Sequence, residues 1–81
     1  MIKIRNLSRT RMGYPSRWEG TTSDGRDVLI EYGQQRLSVK IGEEEHHETP
    51  LPGPVRSGQM LDHELIAAMK EHFPDIELPR G

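Results

Sequence analysis

The chain has 81 residues, of which 32% are hydrophobic and 30% charged, with a formal net charge of −2 and no cysteine. That length makes one domain with no room for a second core. The lack of cysteine argues against a disulfide-stapled secreted fold, and no apolar run is long enough to span a bilayer or to serve as a signal peptide. A cytoplasmic protein with no membrane partner is expected, and so small a core predicts a domain that gains from a partner or a homodimer interface.

Residues 1–41 read as a β-meander. Ile2 and Ile4 alternate with Lys3 and Arg5 and suggest a short first strand over residues 2–5. The run Arg17–Thr22 leads into Asp24-Gly25, a strong hairpin signal. Val28, Ile30 and Tyr32 then share one face of a strand, and Gly33 opens the next turn. Leu37, Val39 and Ile41 repeat the pattern, with Arg36, Ser38 and Lys40 turned outward. Connections this short join antiparallel neighbours, so three strands, or four with residues 2–5, form a sheet with one apolar and one wet face.

Residues 42–59 read as an acidic connector stiffened by Pro50, Pro52 and Pro54, a spacing that neither a helix nor a central strand tolerates. Its acidic start can extend the preceding strand by a few residues. A helix follows within residues 60–73. Asp62 suits its N-cap, Leu61 and Ile66 occupy the positions of a hydrophobic staple, and Leu65, Ile66, Met69 and Phe73 make an apolar stripe. Pro74 ends it, and in the tail, residues 74–81, Ile76 and Leu78 suit a small edge strand. The architecture expected is α+β: an antiparallel meander with one C-terminal helix across its apolar face. Trp18, the only tryptophan, belongs in the shared core with Ile30, Val39, Leu65, Ile66, Met69 and Phe73.

Charge is distributed unevenly. Residues 1–41 hold eight Lys and Arg against four acids, and residues 42–81 hold three against nine, so a half at +4 precedes a half at −6. In the first half, Arg5, Arg9, Arg11 and Arg17 interleave with Tyr14 and Trp18, a composition that suits phosphates and bases. An isoelectric point near 6.1 argues against a dedicated nucleic-acid binder. In the second half, Glu43, Glu44, Glu45 and Glu48 form an acidic face suited to a protein partner with a basic surface.

The histidines do not form a metal motif. His47-Glu48 and His63-Glu64 both begin H-E-x-x-H, but the second histidine is replaced by Leu51 in one and Ala67 in the other. His46 and His47 are adjacent, so extended backbone turns them to opposite sides. No serine stands in a nucleophile elbow and no glycine-rich loop opens a helix. No enzymatic activity, cofactor or metal is expected.

The stretch from Tyr14 to Val39 carries Tyr14, Pro15, Ser16, Trp18, Glu19 and Gly20, then Asp24, Gly25 and Arg26, then Tyr32 and Gly33. It resembles a pattern of small uncharacterised bacterial and phage proteins in which Y-P-S-x-W-E-G leads into a D-G-R turn and a strand ending in an aromatic-glycine pair. The size and charge style are also similar to phage-encoded inhibitors of host defence, such as anti-CRISPR proteins, a likeness of class that rests on no shared fold or motif. These likenesses imply a non-enzymatic protein-binding inhibitor of a host defence complex. The alternatives are a small nucleic-acid-binding protein using the arginines, or a structural homodimer.

Overall fold

The structure is a computed structural model that describes residues 2–11, 16–33, 35–50 and 62–79. It is α+β, with a mixed, curled sheet of six strands and one C-terminal helix. The elements are β1 (Ile2–Arg11), β2 (Ser16–Thr22), β3 (Asp27–Gly33), β4 (Arg36–Ile41), β5 (Glu45–Pro50), α1 (Asp62–His72) and β6 (Ile76–Glu77). The strand order is β5-β4-β3-β2-β1-β6, antiparallel from β5 through β1, with β6 added parallel to β1.

The meander expected over β2, β3 and β4 is present, with its period-2 alternation inward. Trp18 faces Ile30 and Val39 across three strands, and Val28 and Ile41 lie beside one another. All five are buried, with Tyr32 and Leu37. The Asp24-Gly25 turn forms as the sequence predicts: Gly25 sits at φ 91°, and the Thr22 hydroxyl accepts from the Arg26 N–H at 2.9 Å and bonds the Asp24 carboxylate. Leu65, Ala68 and Met69 of α1 join the same cluster, so the helix covers the sheet's apolar face.

Three expectations are corrected. The first strand runs ten residues to Arg11, well beyond Arg5, because Leu7 and Arg9 continue the inward alternation after a register shift between Ile4 and Asn6. At that shift β1 and β2 come very close: a Cβ on Gly20 would lie 1.9 Å from the Asn6 carbonyl oxygen, so only glycine allows the approach. Second, the acidic start of the connector is a separate strand. Ile41 ends β4, Gly42 turns the chain at φ 60°, and residues 45–50 return along β4 as an edge strand. Pro50 is tolerated because it is the last residue of that edge. Third, Ile66 is 53% exposed. Leu65, Ala68 and Met69 lie on the buried side of α1, and Ile66 is rotated about 100° from Leu65. Phe73 is half-buried against the core, and Ile76 forms the small tail strand. Pro52, Pro54 and Leu61, with the staple assigned to Leu61, lie outside the described residues.

Candidate functional site

The four glutamates of the acidic face are divided by the β4–β5 hairpin. Glu43 and Glu44 occupy its turn, are exposed, and form no ion pair among the described residues. Glu45 pairs with Ile41 in the register and so turns toward the helix side of the sheet. Arg26 Nη1 donates to Glu45 Oε1 at 3.0 Å, and His47 Nε2 lies 3.4 Å from Glu45 Oε2. Arg26, and after it His47, hold the Glu45 carboxyl below its ordinary value. Glu48 turns to the opposite face, where Arg36 Nη1 donates to it at 2.6 Å and His46 lies 3.4 Å away. The outward field of the quartet therefore comes mainly from Glu43 and Glu44; Arg36 answers Glu48, whereas Arg26 is shared between Glu45 and Asp24 and offsets Glu45 only in part.

The four arginines are also divided. Arg9 turns inward opposite Trp18. Its guanidinium carbon lies 4.8 Å from the centre of the Trp18 ring, and its Nη1 and the Trp18 Nε1 both donate to Asp62 Oδ1 at 3.1 Å. Arg9 Nη2 donates to the buried Ser16 hydroxyl at 3.3 Å. The Trp18 N–H, and after it Arg9, hold the Asp62 carboxyl below its ordinary value. Asp62 is thus the first residue of α1 and not the cap before it as the sequence suggested, and its carboxylate ties the start of the helix to β1 and β2. Arg17 is paired across strands with Glu31 at 2.9 Å, leaving Arg5 and Arg11 as the exposed members on β1. Trp18, at 2% exposure, offers no face to a base, and Tyr14 lies outside the described residues.

A groove of about 510 Å³ crosses the open side of the curled sheet. Glu45 and His47 of β5 form one wall, and Ile2 of β1 and Ile76 of β6 form the other, with His72, Phe73 and Asp75 between them. His47 and Phe73 are in ring contact, their centroids 6.0 Å apart. His46 and His47 point to opposite faces, as adjacent strand residues must. Of His46, His47, His63 and Glu48, the groove gathers His47 alone. Among the described residues no three His, Cys, Asp or Glu side chains are placed to hold a metal, and no helix is long and apolar enough to cross a membrane.

No family model, curated protein or solved structure matches this chain. Arg26, Arg36 and Phe73 are the participants that the linear pattern does not announce. Arg26 and Arg36 lie 19 and 12 residues from the glutamates they neutralise, and only the strand register brings them together.

Proposed function

We propose that this chain is a non-catalytic protein-binding module that meets a basic partner surface with its β4–β5 hairpin. The observation that carries this reading is the division of charge. Glu43 and Glu44 stand exposed at a hairpin tip beside an edge strand, whereas Arg9, Arg17 and Trp18, which a nucleic-acid reading needs, are engaged with Asp62, Glu31 and the core. Exposed acids at a rim steer a basic partner and raise its association rate. In its finer form the reading is a phage-type inhibitor that occupies a basic, nucleic-acid-facing surface of a host defence complex. That form leans on the class likeness in size and charge.

Affinity capture from lysate with the tagged chain, run beside a Glu43→Lys/Glu44→Lys chain, tests the module. A protein retained by the first and lost by the second supports it; capture indifferent to the reversal contradicts it. A low-salt gel shift with random duplex and single strands is expected to be negative. Binding that falls steeply with salt and is lost in Arg5→Ala/Arg11→Ala would put nucleic acid in the protein's place.

A further inference from the structure

We propose that the groove beside β5 receives an extended segment of the protein partner as an added strand, with its alternate apolar side chains over Ile2, Phe73 and Ile76 and a lysine or arginine turned toward Glu45 and Asp75. The inference deepens the protein-binding reading and rests on it.

Three independent observations meet at this place. β5 is the end strand of the sheet and, among the described residues, pairs only with β4. A terminal strand presents main-chain N–H and C=O groups along its outer side, and an extended peptide satisfies them by joining the sheet. Secondly, the groove is bounded by both ends of the same curled sheet, β5 on one side and β1 with β6 on the other, so a strand laid on β5 lies over an apolar floor. Its volume of about 510 Å³ falls within the roughly 300–1,000 Å³ usual for binding clefts. Thirdly, its polar groups favour a cation. Glu45 is held in place by Arg26 and His47, Asp75 lies between the two walls, and Glu43 and Glu44 extend the negative field past the start of β5. The half-buried Phe73 ring adds a face on which a cation can rest.

A second copy of this chain fits less well. Pairing β5 with itself antiparallel about His47 sets Glu45 against Thr49 and the two His47 rings against each other, and residues 45–50 bring no lysine or arginine to Glu45 or Asp75. A basic segment supplies one.

The probe is a synthetic heptapeptide alternating lysine with valine, titrated into the isotope-labelled chain and followed by amide and aromatic NMR. Saturable binding is expected, with shifts centred on the Glu45–Thr49 amides and the Phe73 ring. A peptide alternating glutamate with valine, and a lysine peptide N-methylated at every residue, should both fail, the second because it has no N–H left to donate to the ladder. His47→Lys, on an exposed wall residue, should weaken binding about fivefold or more by charge alone. Equal binding of the N-methylated peptide overturns the added strand, as does binding that leaves β5 unshifted. Amides of β5 that face away from β4, if already protected from exchange in the free monomer, show the edge covered by the chain itself, and if protected only with self-association show a second copy there; either result also overturns it. If the lysine peptide fails but Glu43→Lys/Glu44→Lys still abolishes capture of a partner, the groove inference falls and the protein-binding reading stands. If capture ignores the reversal, that reading falls by its own test.

Discussion

Gly20→Ala is the sharpest probe of the fold. A Cβ at this position would lie 1.9 Å from the Asn6 carbonyl oxygen and 2.8 Å from its carbon. Both are backbone atoms, so no side chain can rotate away. The oxygen would have to retreat by more than an ångström, and β1 would have to part from β2 beside the register shift where they are closest. Overpacking that moves backbone costs roughly 1–3 kcal/mol, and each ladder hydrogen bond lost adds about 1 kcal/mol. A loss of about 3 kcal/mol is therefore expected, against a total stability for a domain of this length of roughly 4–12 kcal/mol. Equilibrium urea unfolding followed by Trp18 fluorescence measures it, and the melting temperature should fall by at least about 10 °C. A variant within about 0.5 kcal/mol of the parent, the range of an ordinary surface substitution, would refute the close approach and the β1–β2 register built on it.

Replacing Trp18 by Phe keeps most of the buried ring but removes the N–H that Asp62 accepts. A loss of about 1–2 kcal/mol is expected, and amide exchange should show the first turn of α1 loosened most. Gln35 holds φ 59° in the β3–β4 turn, so Gln35→Gly should relieve left-handed strain and raise stability by up to about 1 kcal/mol in the same urea assay. Asp24, Glu45 and Asp62 have folded-state values depressed below 3.8, 4.5 and 3.8 respectively. Their contribution is thus fully present above those unfolded values and is lost as pH falls through the lower folded ones. Melting temperature plotted from pH 7 to pH 2 should drop on the acid side, and Asp24→Asn with Glu45→Gln should flatten that drop.

The sequence announces the strands whose apolar residues alternate without interruption. β2, β3 and β4 are legible because Trp18, Ile30 and Val39 fall on one period-2 face and Asp24-Gly25 marks the place where the chain reverses. β5 was not, because its inward residues are Glu45, His47 and Thr49. At the rim of a sheet such a face is satisfied by Arg26 and Phe73 in place of burial, and nothing in a run of acids and histidines announces either partner. The second half of β1 was hidden for a related reason. Arg9 occupies an inward position that reads as a strand end until Asp62, 53 residues on, is known to receive it. The helix was legible from its stripe, but Leu65, Ile66, Met69 and Phe73 describe too wide an arc for one contact. The small Ala68 takes the buried place and Ile66 is left outside. As for the site, composition displayed two charged halves; only the register shows that Arg9, Arg17, Glu45 and Glu48 each meet an opposite charge, while Glu43 and Glu44 face outward.

The rate at which the captured partner associates with Glu43→Lys/Glu44→Lys, at low and at high ionic strength, tests the central claim most directly. The two residues are exposed in a hairpin turn, so the reversal should leave the fold within about 0.5 kcal/mol of the parent. Association should be about tenfold slower or more at low salt, with the deficit shrinking as the Debye length falls from about 30 Å at 0.01 M to about 8 Å at 0.15 M. An association rate unchanged at low salt would remove the acidic hairpin from the interaction and contradict the account.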